Sequence, residues 1–224
     1  IVVGNISNLS RAQIGQQIMI LNQYKPAAIG IDAFFTIRKA DTLGDMVLAE
    51  AMNQVENLVL VSKLVNWDPN TDSFGAIQRS HPIFSENATE AISNLITDAE
   101  FQEDLKTVRQ FPTKRTVGGE TQAAFGVELA RAINPGAVDK FLARGHQKEY
   151  INFRGNVLDI FNKAKYKNQF FVLDVMDVFN ENFTPELIKD KVVIMGYMGI
   201  DLSDPSWADK FFTPLNSKIA GRAN

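Results

Sequence analysis

Apolar and polar positions follow two rhythms along this chain. Short apolar runs, too brief for a helix, occur at Ile1-Val2-Val3, Ala27-Ala28-Ile29-Gly30-Ile31 and Leu58-Val59-Leu60-Val61, and again at Val192-Val193-Ile194-Met195. Such runs suit strands buried on both faces of a parallel sheet. Between the first and second lies a helical rhythm. Ile14, Ile18 and Leu21 share one face, Ile20 and Tyr24 widen it, and Ser10 with Gln13 makes a Ser-x-x-Gln capping box. Lys25-Pro26 ends it, because proline disfavours the α conformation in the residue before it. Residues 42 to about 54 repeat the rhythm, with Leu43, Val47, Leu48 and Ala51 as the expected inward stripe. Strands interleaved with helices in this way predict a parallel sheet with right-handed crossovers.

Periodicity then fades. Residues 66–85 read as a long loop, with turn-like Asp68-Pro69-Asn70 and Ser73-Phe74-Gly75. Residues 91–96 and 106–111 are expected to pair as short edge strands across the acidic stretch 98–104. Residues 116–119 read as another loop. A third helix is expected from about 120 to 133, striped by Ala124, Val127, Ala130 and Ile133, extended by Phe125 and Leu129, and stopped by Pro135-Gly136. A shorter helix at about 138–144, a strand at 150–155 and an apolar segment from Phe170 that continues through 174–179 come next. Thr184-Pro185-Glu186 opens a short helix with proline in its first turn. Lys191 then begins the last strand, and Gly196 is expected to turn the backbone off its end. The predicted architecture is α/β: a mainly parallel central sheet with helices on both faces and an inserted antiparallel edge hairpin. It forms one domain over residues 1–224, with the insertion at about 66–116.

Composition narrows the function. At 224 residues, 45% hydrophobic and 22% charged, the chain is an ordinary globular one. A formal charge of −3 and a pI near 5.5 argue against a nucleic-acid partner, which needs clustered Lys and Arg. Lys163, Lys165 and Lys167 around Tyr166 read as a solvated loop. Cysteine is absent, which removes disulfides, thiol catalysis and Cys-ligated zinc but leaves the compartment open. His81 and His146 have no second histidine at ligand spacing and read as surface or turn residues. No window approaches the roughly 20 apolar residues of a membrane span. Ile1 falls inside a strand pattern, as expected of a piece cut from a longer protein.

Ligands of open α/β sheets sit beyond the carboxyl ends of the strands. Asp32 ends the second strand, and Asp201 and Asp204 follow the last. If those strands are neighbours, the carboxylates converge. They would then hold Mg²⁺ or act as acid and base, or else cap backbone N–H groups or pair with Arg11, Arg109 or Arg154. Arg154, beside Phe153, offers a bidentate fork to a carboxylate of a ligand or of the protein itself. Gly118-Gly119 reads as a turn, since it lacks both the Walker spacing and a G-x-G-x-x-G pattern. No G-x-S-x-G elbow supports a Ser-His-Asp hydrolase.

Several segments recur together in one known family. They are Ser10-Arg11, then Pro26-Ala27-Ala28-Ile29-Gly30-Ile31-Asp32-Ala33-Phe34, Asp45 with Leu48-Ala49-Glu50-Ala51, and Asn57-Leu58-Val59-Leu60. Asn94-Leu95, Val108-Arg109, Phe125-Gly126-Val127-Glu128-Leu129-Ala130 and Ile151-Asn152-Phe153-Arg154-Gly155 follow. Lys191-Val192-Val193-Ile194-Met195-Gly196, Asp204 and Thr213-Pro214 complete the set. In order and spacing the chain resembles the second CHASE family, extracellular sensory domains associated with bacterial adenylate cyclases, histidine kinases and other signalling outputs. The family usually continues into a Gly-Val-x-x-His-Ala segment, whereas this chain ends Gly221-Arg222-Ala223-Asn224.

The resemblance implies a periplasmic or cell-surface input module, held by membrane helices outside this chain. It implies a non-enzymatic role: detecting a small-molecule or protein cue and passing a conformational change to a cytoplasmic output. It carries over no catalytic residue, cofactor or metal. A homodimer through one helical face is expected, since such outputs commonly work in pairs. The matched polar positions Asp32, Asn94, Arg109, Arg154, Asp204 and Thr213 are either fold determinants or ligand contacts. Asp32, Arg154 and Asp204 are the expected edge of a site. Two alternatives stay open: a metal-dependent hydrolase using Asp32 and Asp204, and an interaction module without a small ligand.

Overall fold

The computed structural model describes residues 1–97, 107–153 and 170–201. The opening units form as their apolar rhythm requires: β1 (Val2–Asn5), α1 (Arg11–Gln23), β2 (Ala28–Asp32), α2 (Thr42–Asn53) and β3 (Leu58–Asp68). Ser10 caps α1 with the expected box, its Oγ accepting from Gln13 N at 3.3 Å while Gln13 Oε1 accepts from Ser10 N at 2.9 Å. β4 (Ser73–Gln78), α3 (Pro82–Ser85), β5 (Thr89–Ile92), β6 (Ile96–Thr97), β7 (Val108–Pro112), β8 (Lys114–Val117) and β9 (Glu120–Ala123) follow. Next come α4 (Phe125–Arg131), α5 (Pro135–Ala143), β10 (Lys148–Tyr150), β11 (Phe171–Leu173), α6 (Val175–Phe179), α7 (Pro185–Ile188) and β12 (Val192–Gly196).

The main sheet runs β11-β1-β12-β2-β3-β4, with β5 also on β3. All its pairs are parallel except β3 with β4. The last strand therefore lies at the centre, between β1 and β2. Alternation of side chains sends Ile29, Ile31, Val193 and Met195 to one face, where they pack with Ile14, Ile18, Leu21, Leu48 and Met52 of α1 and α2. Ala28, Val59 and Val192 face the other way, against Leu129 and Phe125 of α4. Gly30 makes that second contact close: a Cβ on it would stand 2.7 Å from Phe125 Cζ and 2.8 Å from Leu129 Cδ2.

Several elements differ from expectation. Residues 66–85 are not a loop. β3 runs on past the parallel sheet and pairs antiparallel with β4, from Lys63↔Gln78 to Asp68↔Ser73. The turn-like residues are the hairpin's tip and outer end, where Trp67 packs on Phe74 at 5.0 Å. Residues 91–96 split between two sheets. Ala91 and Ile92 pair parallel with Val61 and Ser62 of β3, and only β6 pairs with β7, in a separate sheet ordered β10-β7-β6. The acidic stretch 98–104 and the lysines at 163, 165 and 167 lie outside the described residues.

Residues 116–123 form a hairpin of β8 and β9 rather than a loop and a helix start. Gly118 and Gly119 sit at its tip with φ of 60° and 86°, the left-handed pair that a two-residue hairpin turn requires. Helix α4 starts only at Phe125, and Ala130 and Ile133 are exposed. Pro135 does not end a helix but opens α5, with Asn134 as its cap. In α2 the buried face runs through Gly44, Asp45, Leu48, Ala51 and Met52, and Leu43 is 69% exposed. A charged residue thus takes a core position that the apolar count assigned to leucine. Of the strand expected at 150–155, residues 150–153 are described, and among them Tyr150 alone belongs to a strand, as the last residue of β10.

Candidate functional site

The carboxyl rim at the sheet's centre is set by register. Gly196 of β12 stands opposite Asn5 of β1 on one side and Asp32 of β2 on the other. Asn5 is fully buried. Its Nδ2 donates to Asp174 Oδ1 at 2.9 Å and to Gly199 O at 3.2 Å, while its Oδ1 accepts from Ser7 N and Met198 N, both at 2.9 Å. Ser7 Oγ donates to Ile200 O at 2.8 Å, and Ile6 N donates to Gly196 O at 2.9 Å. One carboxamide thereby ties β1, the segment leaving β12 and the cap of α6 together. The left-handed backbone conformation is at Gly199, with φ 97°, and not at Gly196, which remains a strand residue. Asp32 is exposed at the end of β2.

Behind the rim, Arg11 at the start of α1 pairs with Asp45 in the first turn of α2, both buried. Arg11 Nη2 donates to Ile37 O at 2.8 Å, and its guanidinium lies over the Phe84 ring at 5.0 Å and the Phe35 ring at 5.7 Å. Asp45 Oδ2 accepts from Lys39 N at 2.9 Å, with Arg38 Nε 3.8 Å away. Burial alone would raise the Asp45 pKa. The bonds from Arg11 and Lys39 and the charges of Arg11 and Arg38 outweigh it and hold the carboxyl below its ordinary value. With its donors and charges matched, this pair locks the β2–α2 connection onto α1.

A second concavity lies at the far end of β3. It has a volume of about 760 Å³ and opens between the β3–β4 hairpin and the sheet of β6, β7 and β10. Leu64, Trp67 and Phe74 form its apolar wall on the hairpin side, and Tyr150 faces them from β10. Arg109, Arg115 and Lys148 line it, with Asp72 as the one acid among the described residues. Asn94 and Leu95 complete the floor. Asn94 is committed to the fold, because its Oδ1 accepts from Leu64 N at 2.8 Å and its Nδ2 donates to Leu64 O at 3.1 Å. It serves β3 as one more strand residue would.

The family model described as CHASE2 domain matches residues 5–223. This chain belongs to the CHASE2 domain family. No curated protein and no solved structure matches it. CHASE2 domains are extracytoplasmic sensory domains and typically non-catalytic. Among the described residues of this CHASE2 domain, no helix is long and apolar enough to cross a membrane.

Of the six polar positions singled out from sequence, Asp32, Asn94 and Arg109 are described, and the structure places them in two locations. Asp32 lies at the rim, while Asn94 and Arg109 line the cleft. Arg154, Asp204 and Thr213 lie outside the described residues, so the edge of Asp32, Arg154 and Asp204 is not defined here. The two-aspartate hydrolase alternative depends on one of them. Among the described residues, no group of three or more His, Cys, Asp or Glu is arranged to hold a metal. His81 is a helix cap, its Nδ1 accepting from Ile83 N at 3.3 Å, and exposed His146 lies 2.6 Å from Glu149. Sequence reasoning did not single out Asn5. It named Arg11 and Asp45 within matched segments but did not pair them. Their signal was a charge at each helix start, a weak one without the fold.

Proposed function

We propose that this CHASE2 domain is the input of a membrane-bound bacterial signalling protein. It detects a cue outside the cytoplasm and passes a conformational change through transmembrane helices to a cytoplasmic output. The observation that carries this reading is the family match across residues 5–223. Two features of the fold support it. The cleft lined by Arg109 offers a concavity in the size range of small-molecule sites. The Asn5 clamp gives a route by which a change in the sheet reaches the chain on both sides, since it joins the first strand to the segment leaving the last. A cue bound at the cleft shifts the domain only so far as it favours one of two states of that framework.

The test is the side of the membrane on which the domain lies. Cysteine is absent from this segment. A Lys140→Cys variant of the full-length protein, without other cysteines, places one exposed thiol on α5. A membrane-impermeant maleimide is expected to label it in intact cells. Labelling only after lysis would contradict the proposal.

A further inference from the structure

We infer that the cleft between the β3–β4 hairpin and the β10-β7-β6 sheet takes a small organic anion with a flat apolar body, headed by a carboxylate or phosphate. The inference rests on reading the domain as a sensor and adds the chemistry of its cue.

The argument begins with charge. Among the described residues, Arg11, Arg38, Arg79, Arg131 and Arg144 each sit within 4.0 Å of a carboxylate. The two described arginines that do not, Arg109 and Arg115, both line this cleft. Arg115 donates instead to Gln147 Oε1 at 3.2 Å, a neutral acceptor. Lys148 adds a third cation, and among the described lining residues Asp72 is the only acid, so that lining is net positive on a chain whose formal charge is −3. Guanidinium groups present parallel N–H donors that match carboxylate and phosphate oxygens.

The walls set the rest of the ligand. Trp67 is 47% exposed, Leu95 46% and Tyr150 74%, although all three border the same concavity. Large apolar surface left open beside unpaired cations suits a molecule with one anionic end and one flat apolar part. Rings stack on such walls, and the guanidinium planes also accept an aromatic face. A volume of about 760 Å³ holds a metabolite-sized body.

The test uses the full-length protein and five probes: phenylacetate, phenyl phosphate, phenylacetamide, phenethylamine and inorganic phosphate. Binding is read by calorimetry and by the Trp67 indole N–H resonance, assigned with Trp67→Phe. Phenylacetate or phenyl phosphate is expected to bind and shift that resonance, more weakly at high salt. Arg109→Ala and Arg115→Ala should each weaken binding roughly 10-fold or more, and Lys189→Ala, at the C-cap of α7 and outside the cleft's lining, should leave it unchanged. Arg109 is exposed, so its variants keep the fold, and Arg109→Lys should restore part of the affinity. If phenylacetamide or phenethylamine binds at Trp67 as tightly as phenylacetate, the anionic class is overturned while the cleft remains the site. If inorganic phosphate matches phenyl phosphate, the role of the apolar body is overturned. If no probe binds, both the class and the placement of the cue in this cleft fall, and the maleimide experiment judges the sensory reading separately.

Discussion

At the scale of single residues, the buried polar groups do more to set the connections between elements than the apolar ones. Arg11 and Asp45 are removed from water together, and breaking such a pair leaves an uncompensated charge. Because the Asp45 carboxyl is held below its ordinary pKa, its contribution to stability is fully present above the unfolded value. It is lost as pH falls through the folded one. The difference in melting temperature between the parent and Asp45→Asn should therefore be largest near neutral pH and shrink below about pH 4. A difference that grows on acidification would be the wrong sign for this account. Apolar positions give a sharper contrast. Leu48 is fully buried and Leu43 is not. Leu48→Ala should cost about 2–5 kcal/mol in chemical denaturation, and Leu43→Ala no more than about 0.5 kcal/mol.

Among the elements, the parallel units were plain in the sequence and the antiparallel ones were not. Short apolar runs between capped helices leave few topologies open, and β1, α1, β2, α2 and the start of β3 fall where the pattern puts them. The hairpins fail that test for a physical reason. β4 and the outer half of β3 each expose one face, so their apolar residues are spaced by turn chemistry and cross-strand pairing rather than by burial. Glu120, Thr121 and Gln122 look like the opening turn of a helix until the Gly118-Gly119 pair is read as a hairpin tip. Helix α4, which follows the insertion, reaches back to cover β2 at Gly30. Gly30→Val forces Phe125 and Leu129 off that contact and should cost about 1–3 kcal/mol. Combining it with Leu129→Ala should recover part of the loss, and strict additivity of the two would argue against the contact.

Across the whole molecule, the rim of the parallel sheet and the cleft are separate places. The strands ending at Asp32 and Gly196 are indeed neighbours. Convergence of polar side chains there could not be read from sequence, because it depends on loops whose path the strand pattern does not fix. Arg109 was legible as a possible carboxylate partner and through the family's spacing, but the cleft it lines is completed by Lys148 and Tyr150 of β10, remote in the chain. What the rim does show is mechanical: Asn5 holds the end of β1, the cap of α6 and the segment leaving β12 in one hydrogen-bonded knot. This knot joins the first strand of the sheet to the segment that follows β12. Amide hydrogen exchange on the full-length protein, parent against Asn5→Ala, tests it directly. The Ser7 and Met198 amides should lose protection together, by roughly 5-fold or more each, while the amides of β12 stay protected. Unchanged protection at Met198 would contradict the account.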